Sequence, residues 1–116
     1  MESERLDLLF AVLASAPRRR MLDLVMATPG MSVKALASHF EMSRVAVLTH
    51  VRQLEAAELL LTRKQGRVRQ LFFNPVPLQA IHERWSTRYG ELWASRMLDV
   101  KARVEDRAQG RENRSA

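Results

Sequence analysis

The spacing of apolar residues changes twice along this chain, and no other feature constrains the fold as much. Up to Leu54 the apolar positions recur every three or four residues, the signature of successive helices with one buried face. Then come Leu59-Leu60-Leu61-Thr62, a turn at Gln65-Gly66, and alternation of polar and apolar residues from Val68 to Phe73. That pattern predicts two short strands around a glycine, a β-hairpin. Helical spacing then returns in Leu78, Ile81, Trp85, Tyr89, Leu92, Trp93, Met97, Val100 and Val104, a stripe of about seven turns.

Capping and breaking residues divide the first part. Leu6, Leu9, Phe10 and Leu13 form the stripe of a first helix. Ser15-Ala16-Pro17 interrupts it and starts a second helix, with Ser15 as N-cap and Pro17 in the first turn. Met21, Leu22, Val25 and Met26 are its stripe, ended by Thr28-Pro29-Gly30. Ser32 caps a short third helix through Ala35-Leu36-Ala37, and Glu41-Met42 connects it tightly to a fourth. Ser43 caps that fourth helix, whose inward residues are Val47, Val51 and Leu54. Asn74-Pro75-Val76-Pro77 closes the hairpin and opens the long last helix. No repeat or linker splits the chain, so one domain is expected over residues 1–104, with a charged, disordered tail over 105–116.

The expected fold is therefore mainly α with a small β-hairpin. Helix, helix, short helix, tight turn, helix, hairpin and long helix is the order of a winged helix–turn–helix. A major groove admits one α-helix braced by another. The brace is Val33 to His39 and the reading helix spans 43–57, with a wing over 62–72. Ser43, Arg44, Leu48, Thr49, His50 and Arg52 are the candidate groove-facing residues of that helix. Arg44, in the first turn, is the leading base reader, followed by Thr49 and Arg52. His50 is read either as a packed histidine or as a base reader.

Charge points the same way. The 116 residues carry 19 Lys and Arg against 13 Asp and Glu, a net +6 that favours a polyanionic partner such as nucleic acid. Residues 41–74, the shortest third, hold six basic and three acidic side chains and so the largest excess. Arg63, Lys64, Arg67 and Arg69 surround the hairpin turn with no acidic residue among them, a charge suited to phosphates or a minor groove. The alternative is a cationic guard against strand aggregation. Arg18-Arg19-Arg20 is read as mostly a solvated face, with one arginine touching the DNA backbone.

The absence of cysteine excludes disulfides, thiolate metal sites and thiol nucleophiles. No signal peptide or membrane-length apolar run is present, so a cytoplasmic location is expected. The sequence carries no Gly-rich phosphate loop and no spaced acid, base and nucleophile set, so no enzyme and no cofactor are expected.

Several segments together resemble the ArsR-type winged-helix repressors. They are Leu13-Ala14-Ser15-Ala16-Pro17-Arg18-Arg19-Arg20-Met21-Leu22-Asp23-Leu24, Val33-Lys34-Ala35-Leu36-Ala37, Ser43-Arg44-Val45-Ala46-Val47 with His50, and Leu54-Glu55-Ala56-Ala57-Glu58-Leu59-Leu60. The wing Arg63-Lys64-Gln65-Gly66-Arg67 and Phe73-Asn74-Pro75 fit as well, and the resemblance covers residues 6 to 104. Leu48 stands where members usually have a small polar residue, and an exposed leucine there implies either contact with a thymine methyl or an altered or weakened operator preference. Glu58 stands where many have glycine, so the helix is expected to close differently.

The resemblance implies a homodimer. A single wing domain touches few base pairs, and the first-helix stripe Leu6, Leu9, Phe10 and Leu13 joins Trp85, Tyr89, Leu92 and Trp93 as candidate dimer interface. Relatives often sense metals, but His39, His50 and His82 are scattered and no metal site is expected. Trp85, Tyr89 and Trp93 look like the subgroup without metal sites. The function expected is a sequence-specific regulator, a repressor on a palindromic operator. The alternatives are a repressor with a small organic inducer bound between dimer helices, or a protein-interaction module without an operator.

Overall fold

Serine side chains start three of the helices, each accepting the backbone N–H three residues on: Ser15 from Arg18, Ser32 from Ala35 and Ser43 from Ala46. Each satisfies one of the donors that a helix start leaves open. The computed structural model describes the backbone of residues 2–115, and their side chains except for Thr87, Arg88 and residues 111–115. It forms two units, one up to Leu78 and one from Gln79 onward.

In the first unit, α1 (Ser3–Leu13), α2 (Ala16–Ala27), α3 (Val33–Ala37) and α4 (Arg44–Ala56) precede the hairpin strands β1 (Leu60–Gln65) and β2 (Val68–Phe73). The strands pair antiparallel from Leu60 opposite Phe73 to Gln65 opposite Val68, so Gly66-Arg67 is the turn and Gly66 takes φ 63. This is a winged helix–turn–helix. Met21, Val25, Leu36, Val47, Val51, Leu54, Leu59 and Leu71 lie at its centre with no exposed surface, and together with Leu60 they bring a side chain there from every element from α2 to β2. Leu60 of β1 is 1 % exposed beside them. Burying a side chain of this size contributes about 1.5–3 kcal/mol.

A second set of backbone bonds ties the wing to the helix–turn–helix. The Gly30 N–H donates to Leu71 O at 2.7 Å, and the Leu71 N–H donates to Met31 O at 2.9 Å. Ser32, the cap of α3, also bridges to Gln70. The outer edge of β2 is thus occupied by the segment that leads into α3.

Three expectations change. In α1 the buried residues are Leu9 and Val12, while Leu6 and Leu13 are half-buried and Phe10 is 47 % exposed. Leu9 fills its own unit's core, which removes it from the surface offered to a partner. Met26 is likewise exposed, because α2 turns Met21, Leu22 and Val25 inward. The closure of α4 also differs from the expectation at Glu58. Glu58 adopts φ 60, the left-handed conformation that glycine would supply. Its N–H donates to Glu55 O and that of Leu59 to Leu54 O, the paired bonds of a Schellman motif, with Leu54 and Leu59 both buried. Arg5 grips both Glu58 carboxylate oxygens at 3.2 Å, and the Asn74 amide donates to Glu58 O at 2.8 Å.

After the hairpin the chain continues as α5 (Val76–Ile81), a π-helical turn over His82–Ser86 and α6 (Thr87–Ser115). The long helix is thus interrupted by one wider turn, and α6 remains helical beyond Glu105 to Ser115. Arg, Ala, Glu and Gln, all good helix formers, dominate that end, and Lys101 pairs with Glu105 one turn on.

Strain at position 58 is measurable. Glu58→Gly is expected to stay within about 1 kcal/mol of the parent, because relief of the left-handed conformation offsets the lost Arg5 pair and the freer unfolded chain. Glu58→Val, β-branched, is expected to destabilise by about 2 kcal/mol. Urea denaturation of both variants checks this, and equal stabilities would show that the closure tolerates any residue.

Candidate nucleic-acid interface

Arg44, Leu48 and Arg52 follow one another at intervals of four and so share one face of α4. That face, the start of α3 and the tip of the wing enclose a cleft of about 430 Å³. Ser32, Val33 and Lys34 line it from α3, and Arg67, Val68 and Arg69 from the wing. Five of these nine lining residues are Arg or Lys and none is acidic, which makes the cleft a concentrated cationic surface. Five of the ten residues singled out in the sequence for DNA contact line it: Arg44, Leu48, Arg52, Arg67 and Arg69.

The other five lie elsewhere. Ser43 is exposed, and its Oγ accepts the Ala46 N–H at 3.1 Å as the cap of α4. Thr49 is exposed too, but its hydroxyl donates back to Val45 O at 2.9 Å within the helix. His50 is half-buried, at the edge of the stripe of Val47, Val51 and Leu54, and its Nδ1 is shut off from solvent without a hydrogen bond. Arg63 and Lys64 are exposed on β1 but stand outside the cleft.

Leu48 is half-buried, not an exposed apolar contact; Val45, in the first turn of α4, is 74 % exposed. It is the more accessible apolar group, and the sequence reading passed over it. Ser32 and Lys34 were passed over as well, because only the fold brings the start of α3 beside α4. The apolar face and the cap that signalled a helix there gave no hint of a cleft.

The charges are not equally free. Arg69 lies 3.9 Å from Glu55 of α4, whose other carboxylate oxygen accepts the Thr62 hydroxyl at 3.3 Å. Arg67, at the turn, has no such partner among the described contacts, and neither has Arg44 or Arg52.

Arg18 and Arg19 have a different task from the one expected of a solvated cluster. Arg18 Nε donates to Val12 O at 2.8 Å and its guanidinium also reaches the Gln53 side chain, while Arg19 donates to Leu13 O at 2.7 Å. Both carbonyls belong to the last turn of α1, which leaves its acceptors open and favours cations. Arg20 lies 5.1 Å over the Phe40 ring. The backbone that two of these arginines touch is the protein's own.

Trp85, Tyr89, Leu92 and Trp93 are between 46 % and 63 % exposed, and Tyr89 and Trp93 stack with ring centres 5.9 Å apart. Arg84 lies 5.5 Å over the Trp85 ring. Among the described residues no three His, Asp or Glu side chains converge, and no helix is long and apolar enough to cross a membrane.

Arg18→Ala is expected to lower stability by about 1–2 kcal/mol, since a charged donor to a half-buried carbonyl is lost. Thermal or urea unfolding tests this. Unchanged stability would return the cluster to the surface role first read for it.

No family model matches the sequence, and neither does any curated protein. Solved structures do match. An ArsR family transcriptional regulator is 34 % identical, with 82 % of this chain aligned to 96 % of that one at a TM-score of 0.70. An ArsR-like transcriptional regulator from Rhodococcus sp. RHA1 is 26 % identical over 84 % of this chain and 91 % of that one, at 0.64. A homodimeric winged helix–turn–helix DNA-binding domain from Mycobacterium bovis shares the fold at 16 % identity, over 73 % and 79 % of the two chains, at 0.60.

Proposed function

The chain belongs to the ArsR family of transcriptional regulators, and on that premise we propose that it is a homodimeric repressor that binds a palindromic operator. The observation that carries this is the cleft toward which Arg44, Arg52, Lys34 and Arg67 converge with no acidic residue on its wall. Duplex DNA presents one negative charge per about 1.7 Å of helix axis, so such a surface gains affinity by releasing counterions. The division of labour follows from position. Arg44, in the first turn of α4, reaches base edges, where arginine pairs with guanine through two hydrogen bonds. Val45 beside it offers its methyls to thymine. Arg67, at the wing tip, meets phosphate.

The dimer supplies the second half-site. Leu8 and Phe10 of α1 and the aromatic stripe of the last helix leave large apolar area in water, more than scattered surface residues require. Leu6, Phe10, Leu13, Trp85, Tyr89, Leu92 and Trp93 are the residues we assign to the seam. The Mycobacterium bovis domain of the same fold is itself homodimeric.

Selection of bound duplexes from a random pool is the direct test. A palindrome of fixed spacing is the expected product, and an unenriched pool would refute the operator. Arg44→Ala is expected to relax base preference by about 1–3 kcal/mol at one position of each half-site. Arg67→Ala is expected to weaken cognate and random duplexes alike and to flatten the salt dependence. Equal effects of both on all sequences would refute these roles. Leu92→Glu is expected to yield soluble monomer with poor DNA affinity, and an unchanged mass in light scattering would remove that helix from the seam.

A further inference from the structure

Strand alternation assigns the wing's basic residues to different faces. Leu60, Thr62 and Lys64 of β1 share a face with Phe73, Leu71 and Arg69 of β2, each directly opposite its partner. Leu60 and Leu71 are buried on that face, so it is the one turned toward the body of the unit. Arg69 therefore points inward along the hairpin, toward α4, not outward. Glu55 stands there. One carboxylate oxygen accepts from Thr62 at 3.3 Å, and the other is shut off from solvent, without a hydrogen bond, 3.9 Å from the Arg69 guanidinium. Lys64, directly across the ladder from Arg69, adds a like charge at the same place, and like charges directly opposite destabilise a strand pair. Glu55 offsets that repulsion from the far side.

We propose that Glu55 is a positioning residue that makes Arg69 a strut between wing and reading helix, not a phosphate contact. For Arg69 to turn to a phosphate, a half-buried carboxylate must lose the one cation paired with it among the described residues, and that cost offsets the gain from one more phosphate. The wing's grip on DNA then rests on Arg67, and Glu55 limits how many phosphates the protomer neutralises. The inference rests on the DNA-binding reading above for its affinity consequence, but the strut itself does not.

Two measurements separate the two. The first is the salt dependence of binding to a short duplex of random sequence. Arg67→Ala is expected to flatten the log–log slope by about 0.9 for each protomer on the duplex, about 1.8 for the dimer, and Arg69→Ala to leave it unchanged. Glu55→Gln, which keeps the shape and the Thr62 bond, is expected to steepen the slope by the same amount, about 0.9 per protomer, and Glu55→Gln with Arg69→Ala to restore the parent slope. A flattening by Arg69→Ala equal to that by Arg67→Ala overturns the strut, as does an unchanged slope in Glu55→Gln.

The second measurement needs no DNA: amide hydrogen exchange over Val68–Gln70. Arg69→Ala and Glu55→Gln are each expected to speed exchange several-fold, and the double variant no further than either alone. Rates that multiply in the double variant, or that do not change in the single ones, overturn the strut. If the parent fails to bind duplex at all, the DNA reading falls and the exchange result decides the strut by itself.

Discussion

The backbone of Leu71 is bonded through both its polar groups to Gly30 and Met31, while its side chain lies fully buried against the helices. One residue thereby locks two things together: the height of the wing and the start of α3. Since α3 packs on α4, the basic tip of the hairpin and the exposed face of the reading helix hold a fixed relation. A cleft with cations from three separate segments requires that. Without the lock the wing would be an isolated two-stranded hairpin, which is marginal in water.

The nineteen cations of the chain differ by what they meet. Arg18 and Arg19 are consumed by the carbonyls that end α1, and Arg5 by Glu58. Arg44, Arg52 and Arg67 remain solvated and directed at the cleft. A net charge read from composition cannot separate these groups, because a guanidinium on a helix-terminal carbonyl and one facing water count equally. Within this first unit some arginines thus hold the scaffold while others face its cleft.

Much of the architecture was legible in the residues. Ser15, Ser32 and Ser43 announced three helix starts, and each does cap its helix. The inward stripe Val47, Val51 and Leu54 is fully buried, and Gly66 does sit in the hairpin turn. What escaped the sequence depends on tertiary context. Helical spacing gives a stripe but not its rotation, so α1 buries Leu9 and Val12 where Leu6 and Phe10 fitted the period equally well. Glu58 adopts a backbone conformation that its side chain disfavours, because Arg5 and Asn74 hold it there. The residues 82–86 widen into a π turn without any proline or glycine to signal it. Half of the candidate DNA-contacting residues line the cleft, since periodicity identifies an outward face without saying what stands opposite.

The bonding of β2 to residues 30–32 also decides how this hairpin can meet other chains. Its sheet has a single vacant margin, that of β1, since no strand pairs there among the described residues. Any edge-to-edge association must begin on that margin, where Leu61 is half exposed and offers apolar surface. Arg63 and Lys64 sit along the same strand, and a second copy approaching in register would set cation against cation. The two residues that stand apart from the cleft are therefore well placed to keep the protein from polymerising through its own wing.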